Sequence, residues 1–378
     1  MQDRRDFMKL MASGAMLAAS SPFANSAFAA PAKKGDTAQT KNAPTISLNG
    51  NDMGKVLGLG GVPLAGAWIP TEPEDSLKTL QMAWDKGIRY FDTSPRYGFG
   101  VSERRMGAFL SSKNQEEFII STKVGRLLKP TNLDTSKRGI WTGRYYAESI
   151  YDYTAAGTRK SIEDSLQRLG LAKLDIVFIH DLSPDNMEIA DKFDFYYEQA
   201  AKGAIPELAK MKKEGLIKAW GFGINRPDAA LRSLSISEPD ICLMATQYSL
   251  LDHNEALEKT FPALEKSKVR VAVGSPLNCG YLAGNDRWNY SRNPAPAEMA
   301  AKREKIRAIA KKHKVDLRTA ALQFSMAHPV VTSVLVGARS AKQISEDYQS
   351  LHGAKVPKAF WEELRQQNLI HKEAPIPG

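Results

Sequence analysis

The sequence predicts an α/β chain closed into a (β/α)8 barrel. Three observations point there. From Lys55 onward short apolar runs alternate with longer amphipathic ones, eight such pairs follow one another, and the two longest connections both follow strand ends. Strands joined by helices run parallel, and eight units close on themselves as a TIM barrel. A doubly wound open sheet is the alternative, and the count favours closure.

In order, the strands are expected at Val56–Leu59, Ile88–Asp92, Phe118–Thr122, Leu174–His180, Ala219–Gly223, Ile241–Gln247, Arg270–Ser275 and Ser333–Gly337. The intervening helices are expected at Glu74–Lys86, Ser102–Leu110, Ala156–Leu169, Gly203–Glu214, Pro227–Leu234, Glu255–Lys266 and Glu298–His313, with Ser340–Gln349 after the last strand. Two further helical stretches, Leu317–Ala327 and Pro357–Asn368, read as insertions or a terminal cap. The connections Val124–Tyr153 and Leu277–Pro296 are rich in aromatic, Gly, Asn and Arg residues, which suits a binding wall on the face where barrel sites are built. Gly58-Leu59-Gly60-Gly61 is read as a tight turn, because the third glycine of a dinucleotide fingerprint would fall on Pro63 and no helix starts there.

Ahead of the barrel the chain reads as an address. Arg4 and Arg5 precede Phe7 and Lys9, a mildly apolar run spans Leu10–Ala19, and Ala27 and Ala29 supply a small-x-small cleavage pattern. This resembles a twin-arginine signal over residues 1–29, followed by a flexible leader over 30–44 and a single barrel domain over 45–378. It implies a periplasmic protein exported folded, with the twin-arginine machinery as partner. The apolar run is about half the length a bilayer needs, so no stable membrane insertion is expected.

Composition excludes several classes. Hydrophobic residues make up 43% and charged residues 25%, as in a soluble globular enzyme. The formal charge of +10 is scattered over helical segments such as Lys210–Lys213, without an arginine-rich block, so no nucleic-acid partner is expected. The two cysteines, Cys242 and Cys279, lack metal-ligand or disulfide spacing, and no metal is expected.

Four residues carry the chemistry. Asp92 ends the second strand, Tyr97 follows it by five residues, Lys123 ends the third and His180 the fourth. Neighbouring ends of parallel strands face one bowl, so these side chains converge. Moving hydride onto a carbonyl carbon leaves negative charge on oxygen, which a positioned acid must neutralise. Tyrosine is a weak acid at neutral pH; an ammonium at Lys123, held charged by Asp92, is expected to favour its phenolate. A neutral His180 hydrogen-bonds the substrate oxygen.

The segments Tyr90-Phe91-Asp92-Thr93-Ser94, Tyr97-Gly98, Ser121-Thr122-Lys123-Val124-Gly125 and Asp175-Ile176-Val177-Phe178-Ile179-His180 resemble the motifs of aldo-keto reductases. The similarity covers roughly Lys55 to Gln349. Lys123–Pro130 and Asp164–Gly170 are most similar to the aldose 1-dehydrogenase branch, with relatives acting on pyridoxal. The resemblance implies NADP or NAD as cofactor and Asp92, Tyr97, Lys123 and His180 as the catalytic set. It implies that Asn225 and Gln247 bind the nicotinamide carboxamide, that Ser275, Leu277 and Gly280 hold the pyrophosphate, and that Gly337, Arg339, Ser340, Gln343 and Glu346 take the adenosine end.

Trp68, Arg126, Trp141 and Trp288 are candidate walls for a small polar carbonyl, hemiacetal or alcohol substrate. The chain departs from the family pattern at three places: Gly274 stands where a stacking tyrosine is common, Gly223-Ile224-Asn225 where Ser-Asn is common, and Asp347 where Asn is common. Two other functions remain compatible, a cofactor-binding regulatory subunit on the same fold and a carbonyl reductase that clears aldehydes.

Overall fold

The structure is a computed structural model that describes residues 55–132, 139–143 and 145–377; the expected signal and leader lie outside the described residues. Eight parallel strands close a barrel: β1 (Val56–Gly60), β2 (Tyr90–Asp92), β3 (Ile119–Val124), β6 (Ile176–His180), β7 (Ala219–Ile224), β8 (Ile241–Ala245), β9 (Arg270–Gly274) and β10 (Val331–Gly337). All eight expected strands are present, and β10 pairs in parallel with β1 to complete the ring.

The sequence reading left out one small sheet. β4 (Arg126–Pro130) and β5 (Ala147–Tyr151) form an antiparallel hairpin within the long connection after β3. Gly125 makes the corner, at φ +99°, and a Cβ there would stand 2.1 Å from the Tyr153 ring. Only glycine combines that backbone with that closeness. The corner folds β4 back over the barrel mouth and delivers Arg126 to it.

Two side-chain layers follow from the period of two along each strand. Outward residues such as Leu59, Phe91, Ile120, Val177 and Phe222 pack under the helices. Inward residues Tyr90, Ile119, Ile176, Phe178, Ala219, Ile241, Leu243, Ala245, Ala272 and Leu335 fill the barrel. The inward series continues to the carboxyl ends of β2, β3 and β6, where it reaches Asp92, Ser121 with Lys123, and His180. Apolar filling below and polar groups at the rim are thus one alternation.

Two helices were assigned the wrong places. Leu317–Ala327 was expected as an insertion, but it packs on β10, with Ala320–Met326 buried throughout, and so belongs to the helical ring. The amphiphilic Ala297–Lys312 lies outside it, against the C-terminal helix Lys358–Gln366. The helix Phe193–Lys202 was not expected at all. Its aromatic run has modest intrinsic helix preference, and tertiary contacts hold it: Tyr197 is buried, with the Arg232 guanidinium 3.9 Å from its ring centroid.

Candidate active site

Asp92 and Ser121 are direct neighbours in the β2–β3 register, and Lys123 lies two residues further along β3 on the same face. The Lys123 Nζ donates to both Asp92 oxygens, at 2.9 and 2.8 Å, and to the carbonyl of Thr93 at 2.8 Å. Ser121 Oγ donates to Asp92 Oδ1 at 2.7 Å. Room for the lysine stem comes from β7, where a Cβ on Gly223 would press on Lys123 Cε at 3.3 Å. Burial pushes the lysine below its ordinary value and the aspartate above its own, and the attraction within the pair opposes both shifts.

Tyr97 sits in the turn after β2, closed by Tyr97 N–H to the carbonyl of Ser94 and Gly100 N–H to that of Pro95. The Lys123 amine lies 4.6 Å from its ring centroid, and the His180 ring stands edge-on to it at 5.8 Å. The expected lowering of the tyrosine by Lys123 is not found. All three ammonium protons are spent on Asp92 and Thr93, whose carboxylate meets the charge. Burial therefore dominates, then Asp92 and Asp181, and the phenol is held well above its ordinary value. The resting residue is a protonated acid.

His180 ends β6. Its Nδ1 is 3.0 Å from Ser94 Oγ and 3.2 Å from Arg126 Nη1, and its Nε2 is 3.4 Å from Asp181 Oδ2. Burial, then the charges of Arg126, Lys123 and Arg96, push it well below the ordinary histidine value, so it is neutral at physiological pH.

Two clefts share Val62, Tyr97, Leu243, Ala245 and Tyr290 and so meet at the tyrosine. The first runs from Tyr97 past Gly274, Ser275, Leu277 and Gly280 to Gly337, Arg339, Gln343 and Asp347. Along it Ser275, Asn278, Cys279 and Gly280 all have positive φ, between +49° and +94°. Several left-handed residues in so short a turn are a strained backbone, and such strain gathers where ligands are clamped. At the outer end the Arg339 guanidinium has no carboxylate partner among the described residues, and it faces the like charge of Arg287. A long cleft with a strained amide turn and unneutralised guanidinium charge fits a dinucleotide.

The second cleft is lined by Arg96, Arg126, Trp141, His180, Asp181, Asn186 and Glu188. Asn225 lines this one. Trp68 lines the first. Gln247 lines neither, Ser340 caps its helix by accepting from Gln343 N–H, and Glu346 is bound to Arg318 at 2.6 Å. Trp288 is buried edge-on against Tyr281, behind the wall.

Tyr290, one of the aromatics that suit the Leu277–Pro296 connection to a binding wall, has no specific site role in the sequence reading. It stacks on Trp68 at 6.0 Å, shares a 2.6 Å hydrogen bond with Ser275 Oγ and borders both clefts. Its place in an aromatic-rich connection was the available signal. Asp181 and Glu188, which hold Arg126 and Arg96, carried none.

The profile of the Aldo/keto reductase family matches residues 56–368. The chain belongs to that family. Among characterised members of the aldo/keto reductase family, a D-threo-aldose 1-dehydrogenase of Pseudomonas sp is 33% identical over 326 residues, covering 83% of this chain and 94% of that protein. A pyridoxal 4-dehydrogenase of Microbacterium luteolum is 33% identical over 329 residues with the same coverage. An L-galactose dehydrogenase of Arabidopsis thaliana is 30% identical over 298 residues, 77% of this chain and 82% of that one. The barrel also matches the holo form of an aldo-keto reductase from Bacillus halodurans with a TM-score of 0.61 at 24% identity, over 84% of this chain and 94% of the other, a likeness of fold. This chain is an oxidoreductase of the aldo/keto reductase family.

Replacing Lys123 by Met strands the Asp92 carboxylate in the barrel, at an expected cost of about 3–5 kcal/mol at neutral pH. A buried carboxylate left alone has a folded-state pKa above the unfolded one, so the stability lost at neutral pH returns as pH falls through the raised value. Urea unfolding across pH checks this, and Asp92→Asn added to Lys123→Met is expected to recover most of the loss.

Proposed function

We propose that this oxidoreductase transfers hydride between a nicotinamide dinucleotide and the anomeric carbon of a small aldose, with Tyr97 moving the proton. One observation carries the reading: Tyr97 lies where the two clefts meet, between the buried Lys123–Asp92 pair and a neutral His180. The bound nucleotide would accept or donate the hydride and, when oxidised, bring a positive charge beside the phenol.

The residues of the chain do the rest. Tyr97, protonated at rest, gives its phenolic proton to the carbonyl oxygen in reduction. In oxidation its phenolate takes the proton of the anomeric hydroxyl, a state that the added positive charge favours. Lys123, fixed by Asp92, packs against the ring face of Tyr97 and keeps the phenol in place. His180 donates to the same substrate oxygen and sets its direction. Arg96, Asp181, Asn186 and Glu188 supply donors and acceptors for hydroxyls. Their charges largely cancel in pairs, which suits a neutral polyhydroxylated substrate more than an anion. The aldose- and galactose-oxidising relatives support this class.

Tyr97→Phe is expected to lower kcat on the order of 100- to 10 000-fold while nucleotide affinity, read by protein fluorescence quenching, stays within about twofold. Turnover that survived the substitution would remove the mechanism.

For the choice of nucleotide, Arg339, which lines the first cleft without a carboxylate partner among the described residues, favours an additional phosphate, and hence NADP over NAD. Arg339→Ala is expected to weaken NADP binding by roughly tenfold or more and NAD binding little. Equal weakening of both would assign Arg339 to the pyrophosphate shared by the two.

We also propose export of the folded protein to the periplasm, on the Arg4-Arg5 pair, the short apolar run and the Ala27/Ala29 site. Cell fractionation of the Arg4→Lys, Arg5→Lys variant checks this: retention in the cytoplasm is the expected result, and unchanged export contradicts it.

A further inference from the structure

Arg126 is placed by β4 over the barrel mouth, but its guanidinium turns inward and its side chain is 5% exposed. Nη1 lies 3.2 Å from His180 Nδ1 and 2.9 Å from Asp181 Oδ2, and Nη2 donates to the Tyr151 hydroxyl at 3.0 Å. Such a side chain is tied to the site's own groups before any substrate enters.

A guanidinium carries only donors, so a ring nitrogen facing one at hydrogen-bond distance must offer a lone pair. The Ser94 hydroxyl faces the same nitrogen at 3.0 Å, and its oxygen already accepts from Arg96 N–H at 3.1 Å, which leaves its proton for Nδ1. Two donors converge on Nδ1. A neutral imidazole then keeps its single proton on Nε2.

Resting on the proposed reaction, we infer that Arg126 is a positioning residue: it fixes His180 as the neutral Nε2–H tautomer and thereby decides which nitrogen donates to the substrate oxygen. The charged and titratable groups around the ring agree. Arg126 on β4, Lys123 on β3 and Arg96 after β2 all bear on it as cations, against Asp181 beside it on its own segment and the uncharged Tyr97 edge-on. Asp92 is engaged by Lys123. The imidazolium, which needs a proton on Nδ1, would meet Arg126 head-on.

The placement has its own cause. Gly125 turns β3 into β4, Tyr151 on β5 pairs with Arg126 in register, and Tyr153 anchors the corner through its hydroxyl to the His180 carbonyl at 2.9 Å. The hairpin thus holds a cation against one side of a histidine whose backbone it also grips.

The test reads the ring nitrogens of His180 by 15N NMR, with and without NADP, and assigns them by comparison with His180→Gln. Wild type is expected to show one Nε2–H form with no titration between about pH 5.5 and 9. Arg126→Met is made together with Asp181→Asn, so that the half-buried carboxylate is not left unpaired, and Asp181→Asn alone is the reference for the effects of that residue on the ring and on substrate. That double variant is expected to show mixed tautomers, a His180 titration moved up toward the ordinary value, and a new loss of kcat as pH falls below about 6.5. At neutral pH its kcat is expected to drop on the order of tenfold to a hundredfold relative to Asp181→Asn alone, with KM within about threefold of that reference.

Arg126→Lys is expected to recover the single tautomer, and so is Ser94→Ala, in which Arg126 remains. An unaltered tautomer and pH profile in the double variant, with the loss confined to KM, would make Arg126 a substrate contact and overturn the inference. Mixed tautomers in Ser94→Ala would overturn it as well, by giving the role to the serine. Neither readout of the ring requires turnover, so failure here is distinct from failure of the Tyr97 mechanism.

Discussion

The site depends on one buried ion pair. Lys123 and Asp92 lie inside a closed barrel with their side chains 1% and 4% exposed, where separated charges cannot persist. Desolvation is the penalty, and a pair of charges repays it only with full geometry and extra hydrogen bonds. Here the geometry is full: two contacts within the pair, a third from the lysine to a backbone carbonyl, and a serine hydroxyl on the aspartate. The pair therefore fixes the ends of β2 and β3 relative to each other. It also fixes the cation whose ring-face contact holds the side chain of Tyr97.

The same saturation explains the state of the tyrosine. A lysine with a free proton and an unmet charge would have drawn the phenol toward phenolate. A lysine spent on its neighbours leaves burial in control and the acid intact. In the proposed reaction the site at rest gives a proton, and it takes one when positive charge enters from elsewhere. Within that reaction Tyr97, His180 and the lysine pair do different work with the same few ångströms: the first moves the proton, the second directs the substrate oxygen and the third holds the tyrosine.

Much of this was legible in the sequence because it follows from periodicity. Eight apolar runs with helical spacers state a closed parallel barrel, and Asp92, Lys123 and His180 at run ends state a common bowl. What the sequence concealed depends on side chains meeting across the fold. Gly125 and Arg126 stand in a connection with no strand period, so the hairpin and the inward turn of the arginine could not be read. Trp288 looked like a wall residue because it is aromatic and in the right loop, yet Tyr290, two residues on, borders the clefts while Trp288 packs behind. Leu317–Ala327 was taken for an insertion because two helices precede β10, and only burial decides which one joins the ring. The direction of the Tyr97 shift was misjudged for a similar reason: residue types place a lysine near a tyrosine, but only hydrogen bonds show how many of its protons are free.

The central proposal is that Tyr97 moves the proton, in the same step as the hydride. The most direct measurement is the pair of isotope effects on the single-turnover rate, one with deuterium on the anomeric carbon and one in heavy water. The account predicts a substantial effect from each, with the heavy-water effect still expressed when the carbon is deuterated, because both transfers belong to one step. A normal carbon effect with no heavy-water effect on that step would contradict it, since no proton would then be in flight with the hydride.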